Sequence, residues 1–246
     1  MKKTTEGLTV NQLADIKERG MIFNGEMVRA ILDGRKTQTR RIIKNQREGE
    51  CWGVKPTQRP RYAGHTHDWW LPTGTQPYAA LPACSHGSIG DRIWVRETWS
   101  QLGNEDGCAI DWNDELVKGG GPEAARIYRA SCEQKPGNYG LWSIPDDAFW
   151  KPHTDNMEFE GSWRPSIHMP RWASRILLEI TDVRVERLRS MSQDDARAEG
   201  VIAASGPMEA GLAFRELWDS IYGPESWRDN PWVWVIEFKR VEGGAA

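Results

Sequence analysis

The stretch Trp232-Val-Trp-Val-Ile-Glu-Phe238 carries apolar side chains on both of its alternating faces. Trp232, Trp234, Ile236 and Phe238 point one way, and Val233 and Val235 the other. A strand with one wet face alternates apolar with polar, so this one must be covered on both sides and lie inside a sheet. Ser174 to Leu188 is a second clear strand, in which Ile176, Leu178 and Ile180 alternate before Val183 and Val185 take up the pattern. The change of phase at Thr181-Asp182 predicts a bulge or bend, as the corner of a small barrel needs.

The other elements follow from local signals. Met21-Ile-Phe23 reads as the first strand, and Asn24 as the cap of a helix whose apolar residues Met27, Val28, Ile31 and Leu32 share one side. Gly34 sits where a left-handed C-terminal residue belongs, and Thr37 to Ile43 has strand character. Gly90 to Ser100 alternates again, with Ile93, Val95 and Trp99 on one face and Arg92, Trp94, Arg96 and Thr98 on the other. Glu97 falls on the first face as a structural partner for an arginine. Ser192 and Asp195 form a capping box that opens a helix carrying Glu199. A further helix, roughly 207–222, places Phe214, Leu217, Trp218 and Ile221 on one face and stops at Gly223.

Between the first helix and its strand lies the densest chemistry in the chain. Arg35, Lys36, Arg40, Arg41 and Lys44 give five positive charges in ten residues with no acid among them, in a protein of net charge -3. That is a local anion site on an acidic body. The overall acidity argues against tight, sequence-blind binding to long duplexes, which needs a broad basic face. Fourteen tryptophans against five phenylalanines invite a base-stacking role, although Trp also fills cores and lids.

Gly34-Arg35-Lys36-Thr37-x-Thr39-x-Arg41 resembles the signature of the ASCH domain, a PUA-like β-barrel family tied to RNA metabolism. Gly90-Asp91-Arg92-Ile93-Trp94-Val95 resembles its Gly-Asp strand, and Trp234-Val-Ile-Glu-Phe238 its closing strand. Met191 to Gly200 is similar to its short acidic helix ending in a glutamate. The whole chain resembles the larger, phage- or prophage-type ASCH proteins. The resemblance implies an α+β fold, a PUA-like small mixed β-barrel with flanking helices. A 1–20 extension would precede one domain over 21–242, interrupted by two long irregular insertions at about 45–88 and 102–162.

The same resemblance implies an amidohydrolase that removes the acetyl group from N4-acetylcytidine, with Lys36, Thr39 and Glu199 as its catalytic set. The chemistry is coherent, since an aliphatic hydroxyl needs a neighbouring base before it attacks an amide carbonyl. An unperturbed lysine titrates at about 10.4, so burial and repulsion from Arg35, Arg40 or Arg41 would have to lower Lys36 by a few units. Glu199 would protonate the departing nitrogen or hold Lys36 and the substrate. Arg35, Arg40, Arg41, Arg96 and Trp94 are the expected substrate-binding residues. Strict alternation would place Lys36 and Thr39 on opposite faces, so the chain must still be turning at Lys36 or Thr37. The expected partner is a modified nucleoside or base, free or within RNA or DNA. A binding module without catalysis and a metal-dependent ribonuclease are the alternatives, and the lack of a carboxylate cluster weighs against the latter.

Other segments carry less. His65-x-His67-Asp68 and Cys84-x-His86 hold zinc-ligating residue types at spacings that match no zinc module, so we assign no metal and no cofactor. Gly119-Gly-Gly121 follows no strand and lacks a Lys-Ser/Thr, which makes it a loop tip. Ala125 to Ala130 reads as a short strand, and the Pro- and Trp-rich 163–172 segment as a lid or a packed connector. No apolar run approaches 18 residues, and Met1-Lys-Lys opens no signal-peptide pattern. The expectation is a cytoplasmic protein with reduced cysteines, no membrane partner and an open oligomeric state.

Overall fold

Asn24 and Gly34 set the two ends of the first helix as their chemistry requires. In the computed structural model, which describes residues 16–47, 52–101, 108–109, 115–118, 121, 127–129, 164–202 and 209–241, β1 (Glu18–Ile22) leads into α1 (Gly25–Leu32). The Asn24 side-chain oxygen accepts from the Met27 N–H at 2.8 Å. Gly34 adopts φ 74°, and the Arg35 and Lys36 amides both donate to the Ala30 carbonyl at 2.9 Å. β2 (Gln38–Ile42) starts only after that turn is complete.

The strands that follow are β3 (Gly53–Pro56), β4 (His67–Trp70), β5 (Ala79–Ala80), β6 (Arg92–Arg96), β7 (Trp99–Gln101), β8 (Ile127–Arg129), β9 (Leu177–Arg187) and β10 (Trp232–Arg240). Five of them make one sheet in the order β1-β6-β9-β10-β2, while β3-β4-β5 and β7-β8 form two small sheets. The fold is α+β. The expected barrel is not closed among the described residues, because β1 and β2 end the order without pairing to each other.

The chain divides into two compact units that alternate along the sequence. The first comprises Met1–Arg19, Gln38–Ile93 and Leu178–Lys239, the second Gly20–Thr37, Trp94–Leu177 and Arg240–Ala246. In the first, β10 explains its own sequence. Val233, Val235 and Leu188 pack with Ala196 of α2 (Gln193–Ala198) and with Ala210, Phe214 and Trp218 of α3 (Glu209–Tyr222). On the other face, Trp69 of β4 meets Trp232 edge-on at 5.9 Å and His67 meets Trp234 at 6.2 Å. Helices cover one side and the β3-β4-β5 sheet the other, and each buried aliphatic or aromatic side chain contributes about 1.5–3 kcal/mol.

That small sheet occupies the segment expected to be an irregular insertion. Its strands pair antiparallel, Gly53↔Trp70 through Pro56↔His67 and Asp68↔Ala80, but they run only 4, 4 and 2 residues. Strands so short show no readable alternation. The capping box forms as expected, with the Asp195 N–H donating to Ser192 Oγ and the Ser192 N–H to Asp195. Ile221 is 45 % exposed instead of buried, because the buried ridge of α3 runs at i+4 through Ala210, Phe214 and Trp218 to Tyr222. An unexpected helix, α4 (Pro224–Asp229), follows at once, as Gly223 turns the chain with φ 85° and Pro224 restarts it. β9 runs through Thr181 and Asp182 as one strand, and the phase change appears as a change in burial, from buried Leu178 and Ile180 to half-buried residues after the exposed Thr181.

In the second unit, the alternation expected over 90–100 breaks after β6, and Trp99 begins β7, which pairs with β8 where the short strand was expected. Glu97, between them, is buried and accepts from Arg175 Nε at 3.1 Å, the structural partner the sequence called for. Pro165 and Pro170 each open a single 3-10 turn, Ser166–His168 and Arg171–Ala173. Met169 and Ala173 bury against Trp99, with Trp172 edge-on to it at 5.7 Å, so this stretch is a packed connector. Residues 1–15, most of 102–163 and 203–208 lie outside the described residues, and with them most of the 1–20 extension, the Gly119-Gly120 loop tip and the start expected for α3. No helix among the described residues is long and apolar enough to cross a membrane.

Candidate functional site

The β10–β2 register decides what each residue of the basic stretch can touch. Val235 pairs with Arg40 and Glu237 with Gln38, while Trp234 pairs with Arg41 and Ile236 with Thr39. Alternation therefore sends Gln38, Arg40 and Ile42 toward the helices and Thr39 and Arg41 to the opposite face. Contacts on the helix side agree, since Gln38 Nε2 donates to the Asp195 carbonyl of α2 at 2.9 Å.

Arg40, expected at a substrate, is fully buried and held by carboxylates. Its guanidinium lies 3.1 Å from Glu199, 3.3 Å from Glu186 and 3.4 Å from Asp195, beside the Phe214 ring. Glu199 is the C-cap of α2 and only 3 % exposed, so the helix end delivers its carboxylate to Arg40. A second guanidinium, Arg184 of β9, bonds Glu186 at 2.6 Å, Asp195 at 2.8 Å and also Glu237. With Asp182 at 3.8 Å from Arg184, the two arginines tie five carboxylates together among the described residues.

That cluster is what sequence reasoning missed, and its carboxylates are gathered by arginines. Its signal lay in β9, where Asp182, Arg184 and Glu186 recur at every second residue on one face. No group of three acidic, His or Cys side chains among the described residues is arranged to hold a metal ion. Burial works against ionisation of Asp195, but hydrogen bonds from Ser192 and Gln38 and the charge on Arg40 outweigh it and hold this carboxyl well below its ordinary range.

Thr39 is 1 % exposed and sits on the face away from Arg40 and its carboxylates. Arg41 shares that face, half-buried. In the other unit, Lys36 is 2 % exposed at the end of the turn fixed by Ala30, so strict alternation from Lys36 to Thr39 does not apply. Arg35 is exposed and pairs with Asp33 at 2.9 Å. The Arg96 guanidinium stacks 4.6 Å over the Trp94 ring, and Gly20 of β1 leaves room for that ring.

The histidines of the β3-β4-β5 region are structural in geometry. His65 Nδ1 accepts from the Arg61 N–H at 3.0 Å, which leaves Nε2 to donate to Asp68 at 3.0 Å, and Tyr62 stacks on the ring. Both ring nitrogens are thus occupied. Burial, with Arg41, Lys44 and Arg19 nearby, lowers His86 to about 4. Burial also lowers His67 and raises the Cys84 thiol.

Comparison of the chain with family models, with curated proteins and with solved structures found no match.

Proposed function

We propose that the protein is a PUA-like, ASCH-type amidohydrolase that removes an acyl group from a modified nucleoside or base of the N4-acetylcytidine kind. The observation that carries the reading is the burial of the signature pair, Lys36 at 2 % and Thr39 at 1 % exposed. Burial disfavours the charged form of a lysine, which is the direction that base catalysis by an amine needs.

In this reading the Lys36 amine takes the Thr39 hydroxyl proton as Oγ1 bonds to the acyl carbon. The tetrahedral intermediate then expels the exocyclic nitrogen of the base, which leaves as the neutral amine with the proton from the Lys36 ammonium. Water, deprotonated by the regenerated amine, cleaves the acyl-threonine to release the carboxylic acid, and the Lys36 ammonium returns its proton to the departing Thr39 Oγ1. Glu199 acts as a positioning residue through Arg40, since its carboxylate already accepts that guanidinium.

The test is release of cytidine from N4-acetylcytidine by the purified protein, followed by chromatography. Turnover that vanishes in Lys36→Ala supports the reading, and its absence from the wild-type protein removes it.

A further inference from the structure

The segment after β2 carries charge that the proposed chemistry leaves unused. Residues 43–67 hold five lysine and arginine side chains against two acids, Glu48 and Glu50, in a chain of net charge -3. Among the described residues Lys44, Arg47 and Lys55 make no ion pair. The backbone that carries Lys44 is held in place. Gln46 Nε2 donates to the Ile43 and Trp232 carbonyls at 2.7 and 2.9 Å, its Oε1 accepts from the Trp232 N–H at 2.8 Å, and Asn45 turns the chain at φ 61°.

Aromatic rings interleave with these cations. The Arg47 guanidinium lies 5.2 Å from the Trp52 ring and 5.3 Å from Tyr78, two rings that meet edge-on at 5.0 Å. The Lys55 ammonium sits 4.4 Å over Trp70. Tyr78 is 55 % exposed, which leaves it open to a planar group. Burial of His86 and the charges of Arg41, Lys44 and Arg19 beside it keep its imidazole neutral, so it adds no charge to the strip.

We propose that this strip binds a single-stranded nucleic acid, with phosphates on Lys44, Arg47 and Lys55 and unpaired bases stacked on Tyr78 and its neighbouring rings. A duplex keeps its base faces to itself and cannot use the rings. The inference deepens the hydrolase reading by presenting the acylated base as part of a strand, and it rests on that reading only for the identity of the reacting base.

Fluorescence anisotropy with end-labelled oligocytidylate and oligodeoxycytidylate of about 15 nucleotides tests it, alongside the same DNA strand annealed to its complement. Single strands bind at least about tenfold more tightly than the duplex, and the ratio of RNA to DNA affinity identifies the polymer. Tyr78→Leu weakens binding by about fivefold or more. Lys44→Glu/Lys55→Glu weakens it further and makes the log-log salt slope shallower by roughly 1.4. Equal affinity for the duplex, no binding at about 50 mM salt, or unchanged binding in either variant overturns the proposal. Hydrolysis of free N4-acetylcytidine by the same preparations separates the two claims. Turnover without strand binding sinks the strip alone, binding without turnover sinks the hydrolase alone, and absence of both sinks both.

Discussion

Arg40 and Glu199 meet at 3.1 Å with side chains 0 % and 2 % exposed, so each is the other's substitute for water. Removing the cation takes a guanidinium from a buried carboxylate and from the partly buried Glu186 and Asp195. Arg40→Ala is expected to cost about 3–5 kcal/mol in urea unfolding. The exposed Arg228–Glu225 pair is the control, and Arg228→Ala should change stability by less than about 1 kcal/mol. Equal effects in the two variants would show that the buried network is not what holds α2 against β2.

Gly20 is required by its neighbour and not by its own backbone. A Cβ there would meet two atoms of the Trp94 ring at 2.6 and 2.8 Å and Arg96 Nε at 2.9 Å. Gly20→Ala should therefore cost about 1–3 kcal/mol and disturb the Arg96–Trp94 stack. In Gly20→Ala/Trp94→Leu the penalty of the alanine should largely disappear, which thermal unfolding of the four proteins measures.

His86 sets one limb of the pH dependence. Burial and then the charges of Arg41, Lys44 and Arg19 lower it from 6.5 to about 4, so the unfolded chain binds this proton first as pH falls. The contribution is whole above about 6.5 and is lost progressively toward about 4. His86→Gln should flatten the stability curve across that window. Asp195 has a depressed folded value, so its contribution holds above the ordinary carboxylate range and disappears only as pH falls through more acid values. A urea midpoint that does not move between pH 7 and about 4 in the wild-type protein would contradict the assignment to His86.

Much of this was legible because the signals were local or strictly periodic. The Asn24 cap, the Gly34 turn, the Ser192–Asp195 box and the two-faced β10 all appear where their residue types put them. What stayed hidden depends on pairing between distant residues. Nothing near Arg40 in sequence says that Glu186, Asp195 and Glu199 will surround it, at separations of 146 to 159 residues. The β3-β4-β5 sheet was hidden for a different reason, since its strands are defined by the partner across the ladder and by Trp69 against Trp232. Fold-level closure was also beyond the sequence, where strands at 18–22 and 38–42 read equally well as members of a barrel or as the ends of an open sheet.

The central claim is that Lys36 and Thr39 react while Glu199 positions, and kcat/KM for N4-acetylcytidine in three variants tests it most directly. Lys36→Ala and Thr39→Val should each lose about a thousandfold or more. Glu199→Gln, assayed at a temperature where it is folded, should lose no more than about tenfold, because the amide oxygen still accepts from Arg40. Full activity in Thr39→Val, or a loss in Glu199→Gln as deep as that in Lys36→Ala, would contradict the account.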